Sequence, residues 1–182
     1  QLNPDPSFFY GSRGHRRAMA YLEYGLHQNE GFIVITGEVG AGKTLLVLHG
    51  QPGISRVRRA TGLYHFALLL PSRADLGDTL AHLVEVGGPI SGYADHAVSE
   101  AIYLTDPDGH GIEIYRDRPR DEWQFPNGTL KMTVDPIDFE GVLGARTGAW
   151  RGLSSGAMMG HIHLQVASIP QTEQFYIDRL GF

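Results

Sequence analysis

The chain has 182 residues, a formal net charge of -5 at pH 7, 42% hydrophobic and 19% charged residues. That is the composition of one ordinary globular domain or two small ones, and the acidic balance argues against nucleic-acid binding as the main task. There is no cysteine, which excludes disulfides, thiolate zinc sites and cysteine nucleophiles and suits a cytoplasmic protein. The longest apolar runs, such as Phe66 to Leu70, are far too short to span a bilayer, and no basic-then-apolar leader opens the chain. Its first residue is Gln1 and its last is Phe182, in what reads as a helix-to-strand transition, so both ends read as cut.

In chain order, a helix fits His15 to His27, with Met19, Leu22 and Leu26 at helical spacing. Phe32 to Thr36 (FIVIT) reads as a short buried strand and runs into Gly37-Glu38-Val39-Gly40-Ala41-Gly42-Lys43-Thr44. This is the G-x-x-x-x-G-K-[ST] phosphate-binding pattern. Its nucleotide-binding candidates are Gly37, Gly40, Gly42, Lys43 and Thr44, with backbone N–H groups and a lysine for phosphates and a hydroxyl for magnesium. Residues 4–44 resemble the general secretion pathway protein A-like ATPases, in particular their exosortase-associated branch. The resemblance implies ATP and Mg2+ as ligands if the loop works. A working loop needs a helix behind it, yet only LLVLH follows before Gly50, Pro52 and Gly53.

Leu45 to Gly53 reads as a strand closing in a turn, and Ser55 to Thr61 as a basic surface loop. Tyr64 to Leu70 alternates as a strand, with His65 at its start, and Pro71 ends it. Arg73 to Glu85 is helical, with Leu76, Leu80, Leu83 and Val84 on one face, and Gly87-Gly88-Pro89 stops it. Val98 to Thr105 is a strand, Asp106-Pro107-Asp108-Gly109 a type I turn, and Gly111 to Arg116 the partner strand. In that last strand Glu113 and Tyr115 share one face, and Ile112 and Ile114 the other. Residues 117–159 read as a connector in which Trp123 and Trp150 anchor the chain on the core. His82, His96 and His110 read as surface or turn residues. Gly160 to Phe182 is a strand followed by a helix, and it repeats the start of the earlier unit, with His161 at the position of His65.

The runs TGLYHFALLLPSRADL, HAVSEAIYLTDPDGHGIEIYRDRPRDEW and GHIHLQV…FYIDRLGF carry a resemblance over residues 45–182 to the vicinal oxygen chelate superfamily of glyoxalase, bleomycin-resistance and extradiol dioxygenase proteins. The catechol 2,3-dioxygenase-like branch is the nearest in pattern. The resemblance implies an α+β fold with one complete βαβββ module at 63–118, the start of another at 160–182 and a partial one before it. The division expected is a P-loop fragment over 1–44 and the chelate region over 45–182. The family holds a divalent metal on ligands from the starts of first strands and from last strands. By motif this implies His65, Glu113 and His161, with His163 as a rival to His161 on the same face. Fe2+ is preferred, with Mn2+, Ni2+ or Zn2+ as alternatives. His161 can complete the set only if its strand lies beside the complete module. The expected activity is metal-dependent ring cleavage of a catechol-type compound, on a small aromatic or dicarbonyl substrate, without nucleic-acid or membrane partners. A metal-free ligand-binding module, a P-loop ATP-binding protein and an inactive chimeric product are the other readings. Incomplete modules leave apolar sheet to be covered, which points to a homodimer.

Overall fold

The computed structural model describes residues 60–182 and two short strands before them, β1 (Ile35–Thr36) and β2 (Leu46–Val47). The candidate nucleotide-binding residues Gly37, Gly40, Gly42, Lys43 and Thr44 lie outside the described residues. β1 and β2 pair antiparallel, Ile35 against Val47 and Thr36 against Leu46. Leu46–Val47 are therefore strand, where a phosphate-binding loop is followed by helix.

The rest is built on one sheet of five strands: β3 (Gly62–Leu69), β4 (Ile90–Asp95), β5 (Ser99–Thr105), β6 (Gly111–Asp117) and β7 (Met158–Gln165), in the spatial order β4-β5-β6-β3-β7. β3 runs parallel to β6 and antiparallel to β7. The parallel pair needs a long crossover, and helix α1 (Arg73–Glu85) begins it, followed by the meander β4-β5-β6. This is the expected βαβββ module. Sequence patterning names only two of its last three strands. The missed one, β4, reads ISGYAD, whose serine, glycine and aspartate hide the alternation.

Local chemistry sets the ends of α1. Ser72 is its N-cap, and its side chain accepts the Asp75 N–H. At the other end Gly88 N–H donates to Leu83 O and Gly87 N–H to Val84 O, with Gly87 at φ +64°. That is a Schellman stop, which needs a glycine because its φ is positive. Leu76 and Leu80 are fully buried against Leu70, Ile102, Leu104 and Ile114, each side chain worth about 1.5–3 kcal/mol of burial. Val84 departs from the expected stripe: it is 53% exposed, because at 3.6 residues per turn it lies at the edge of the arc centred on Leu76, Leu80 and Leu83.

The connector is more ordered than its composition suggests. Within it, α2 (Phe139–Gly144) buries Val142 completely in the same core. Of the two tryptophans expected to anchor the connector, Trp150 reaches α1 and Trp123 makes local contacts. Trp123 Nε1 donates to Arg118 O and carries Arg120 over its ring, and Trp150 stacks on His82 at 4.7 Å. Beyond β7 the chain continues as α3 (Ile169–Gln174) and a π-type turn over Phe175–Leu180, and neither buries a residue.

One ion network ties the helix layer to the sheet. Glu100 is 1% exposed and accepts from Arg73 Nη2 at 2.9 Å and from Arg116 Nε at 2.7 Å. Arg73 also reaches Asp138 at the start of α2, and Arg118 forks onto Asp95 with two 2.7 Å bonds. Burial alone pushes the Glu100 carboxyl up, but the hydrogen bonds from Arg73 and Arg116 together outweigh it and hold the group below its usual 4.5. The stabilisation is thus complete above pH 4.5 and is lost as pH falls through the lower folded value. Removing the charge leaves Arg116 without its carboxylate and Arg73 with Asp138 alone. Glu100→Gln is expected to cost about 3–5 kcal/mol, measured by urea unfolding at pH 7, and to flatten the loss of stability that the parent shows on acidification below pH 4.5.

Candidate metal centre

The period of two along each strand sorts the sheet into two faces. Ile102 and Leu104 of β5 and Ile112 and Ile114 of β6 face α1. Their neighbours Ala101, Tyr103 and Tyr115 gather with Ala67 and Leu69 on the other face. His65 opens that face on β3, and Glu113, the cross-strand partner of Tyr103, lies on it in β6. Both are buried, at 6% and 3% exposure.

β7 brings the third residue. Its register sets His161 against Ala67 and His163 against His65, so both histidines share the face of His65. His65 Nε2 lies 2.9 Å from Glu113 Oε2, His161 Nε2 lies 3.1 Å from the same oxygen, and the two Nε2 atoms are 3.2 Å apart. The condition for His161 to complete the set, a strand lying beside the complete module, is met by the β3–β7 pairing. His163 does not join the cluster. Its ring packs edge-on against His65, centroids 4.7 Å apart, and against Tyr64 at 4.9 Å.

Two bulges in the β3–β7 ladder set this arrangement. The register gains one residue on β3 between Leu63 and His65, and one on β7 between His161 and Met159. The first extra residue is Tyr64. Strict alternation would send it to the α1 face, but a bulge re-aims its side chain, and its ring lies 5.5 Å from that of His65. The second is Gly160, on whose α-carbon the Tyr115 hydroxyl packs so closely that any β-carbon would collide with it. The glycine therefore lets Tyr115 fill the space beside His161, with ring centroids 5.1 Å apart. Bulges depend on the partner strand, so sequence alternation alone misplaces Tyr64.

The donor atoms suit a cation better than a hydrogen-bond network. Two neutral imidazoles presenting Nε2–H to one oxygen would set their protons against each other, and a single shared proton satisfies only one edge of the triangle. By contrast, three ligands on one face of an octahedron, each about 2.1 Å from the ion, sit about 3 Å apart. Burial, aided by the neighbouring His163 and His161 and opposed by Glu113, lowers the His65 imidazole below its usual 6.5, which leaves it neutral at pH 7 with a lone pair to offer. His161 has 43% of its side chain exposed, so the mouth of the cluster is on the β7 side. Among the described residues, His65, Glu113 and His161 are the one group of such side chains close enough to share an ion.

Sequence reasoning missed one further feature of this face. His96, expected as a surface or turn residue, does sit in the β4–β5 turn, but its Nε2 meets the Tyr103 hydroxyl at 2.7 Å. By contrast, His110 does what its position implies, bonding to Asp106 beside the Asp106–Gly109 turn.

A divalent cation is expected to raise the thermal unfolding midpoint, by the equivalent of about 2.7 kcal/mol at a hundredfold excess over its Kd. Losing a partner one shell out typically costs 10–100-fold in metal affinity, so His161→Ala is expected to lose at least about 100-fold, while His163→Ala keeps most of it. Isothermal titration with Zn2+ or Mn2+ checks both. Equal losses in the two variants would show that His161 has no special part.

Comparison with known proteins agrees with this architecture. The family model described as glyoxalase/bleomycin resistance protein/dioxygenase superfamily matches residues 8–114, a span that contains His65 and Glu113. A catechol-2,3-dioxygenase of Bacillus subtilis (strain 168) is 48% identical over 145 residues, covering 77% of this chain and 50% of that protein. The chain thus spans about half the length of that relative. A general secretion pathway protein A of Aeromonas hydrophila is 49% identical over 43 residues, which are 24% of this chain and 8% of that protein. No solved structure matches at comparable stringency. Among the described residues no helix is long and apolar enough to cross a membrane. On the strength of the match over residues 8–114, with the βαβββ module that underlies it, the chain belongs to the glyoxalase/bleomycin resistance/dioxygenase superfamily.

Proposed function

We propose that this chain holds a divalent cation on His65, Glu113 and His161 and uses it for extradiol-type cleavage of a catechol. The observation that carries the reading is the convergence of two imidazole nitrogens and one carboxylate oxygen to within 3.2 Å on the open face of the sheet. The 48% identity to a catechol-2,3-dioxygenase supports the choice of substrate class. A bound cation of this kind, Fe2+ before Mn2+, Ni2+ or Zn2+, offers adjacent open positions to two vicinal oxygens and supplies Lewis-acid or dioxygen-activating chemistry.

The chain's own residues do the rest. His65 and Glu113 are fixed by burial and by the β3–β6 ladder, while exposed His161 leaves room for a ligand to enter. Tyr103 and Tyr115 line the same face and offer ring surfaces on which an aromatic ligand packs. Burial, with Asp117 and Glu113 nearby, pushes the Tyr115 hydroxyl up to about 12, and burial raises Tyr103 further, so both stay protonated at neutral pH.

A second reading, nucleotide binding at Lys43 and Thr44, draws on the 43-residue likeness to a general secretion pathway protein A. Strand β2 at Leu46–Val47, where that loop's helix would begin, disfavours it. The same likeness supports a chain that joins ATPase-type sequence to dioxygenase-type sequence.

Anaerobic loading with Fe2+, then addition of catechol and air, tests the main reading. The expected result is the yellow ring-opened product, formed at least about 100-fold faster than by His161→Ala, which is a loss of about 2.7 kcal/mol or more in transition-state stabilisation. Stoichiometric iron uptake with catechol left intact would reduce the protein to a ligand-binding module.

A further inference from the structure

β7 offers the cation face two histidines, and the face pattern treats them alike. His161 and His163 lie two residues apart on one strand, so either could stand opposite Ala67. A slip of two residues exchanges them and leaves every side chain of β7 on its own face. Something other than alternation therefore fixes which of them joins His65 and Glu113.

A contact from β6 reads the register. β6 and β7 are not neighbours, since β3 lies between them. Tyr115 reaches over β3, in the small cluster where Ala67 and Ala101 leave room for its ring, and its hydroxyl packs on the α-carbon of Gly160. The tyrosine is itself held firmly. Its backbone pairs with Leu69 on one side and Ala101 on the other, its carbonyl oxygen accepts the Leu70 N–H at 2.7 Å, and its side chain is buried. Gly160 is not among the glycines with positive φ. An alanine would suit its backbone, so what excludes one is the tyrosine.

β7 reads MMGHIHLQ and holds a single glycine. Sliding the strand until His163 faces Ala67 carries Ile162 under the Tyr115 hydroxyl. Sliding it the other way carries Met158 there and sets Met159 against Ala67. Each slip puts a full side chain where a β-carbon already collides. Overfilling of that kind shifts an equilibrium by about tenfold to a hundredfold.

We infer that Tyr115 is a positioning residue: seated on Gly160, it pins the register of β7 and so selects His161 over His163 as the third donor. The pin stands on the contacts alone. Its use in choosing a ligand rests on the cation reading above.

The pin is tested first without metal. Across the parent ladder Ala67 faces His161 and Phe66 faces Ile162. Nuclear Overhauser spectra of the full metal-free chain are expected to show these pairs, to lose them in Gly160→Ala and to regain them in Gly160→Ala/Tyr115→Leu. Unchanged pairs in Gly160→Ala overturn the pin, whatever the protein binds. Zinc titration then tests the selection. In the parent, His161→Ala is expected to lose at least about 100-fold in affinity. In Tyr115→Leu the same substitution is expected to cost at least about tenfold less, because β7 slips and His163 takes the place opposite Ala67. Removing His163 as well brings back the full loss. A His161→Ala loss as large in Tyr115→Leu as in the parent overturns the selecting role. Should Tyr115→Leu fail to fold, Gly160→Ala carries the zinc test by itself: it is expected to weaken binding about tenfold or more, and full affinity overturns the inference. If the parent takes up no zinc while the metal-free pairs respond as described, the cation reading fails and the register pin stands.

Discussion

The antiparallel pairing of β7 on β3 is the constraint on which the candidate centre depends. His65 and Glu113 belong to one contiguous module and are neighbours through the parallel β3–β6 ladder. Two donors do not make a facial set. The third comes from a residue 96 positions away from His65, and it arrives because β7 takes the open edge of β3 in the one register that sets His161 against Ala67. A slip of one residue would turn both His161 and His163 to the other face. A slip of two would put His163 where His161 stands. The bulge at Gly160, held under the Tyr115 hydroxyl, gives the ladder a feature that either slip would lose.

The two faces of the sheet divide the work. The α1 face holds the aliphatic core, and the ions on that side form the closed network around Glu100. Every buried charge in it has a partner, which is the condition for tolerating a carboxylate at 1% exposure. It joins α1, β5, β6 and α2, so the layers cannot slide without breaking ion pairs. The other face keeps its polar groups convergent: Glu113 with His65 and His161, and Tyr103 with His96. The packed first face gives the second a fixed support, on which the donor atoms sit about 3 Å apart.

The second unit is less complete as a packing element. β7 is an edge strand with Ile162 49% exposed, and the turn after α3 leaves Phe175 and Ile177 in solvent. Its contribution is the ladder to β3 and the histidines that the ladder positions. A histidine on an exposed edge strand suits an ion with open coordination positions, since a ligand must reach it from outside.

The sequence by itself determined the module. Alternation in β5 and β6, the 3.6-residue stripe through Leu76 and Leu80, the DPDG turn and the Gly87-Gly88 stop are local signals, and each was legible because its cause lies within a few residues. The family resemblance put His65 and Glu113 forward together, and repetition paired His161 with His65. Local patterning overran at Val84, which lies at the edge of the helix's apolar arc, and it missed β4, whose glycine and serine break the pattern. It could not place Tyr64, whose direction is set by a bulge against a strand about a hundred residues later, or see that His96 faces Tyr103 rather than water. Only the tertiary structure decided which edge of β3 receives β7, in which register, and hence that three donor atoms meet. Strand pairing over such distances is chosen by the global fit of faces, bulges and core, and no window of the sequence contains that sum.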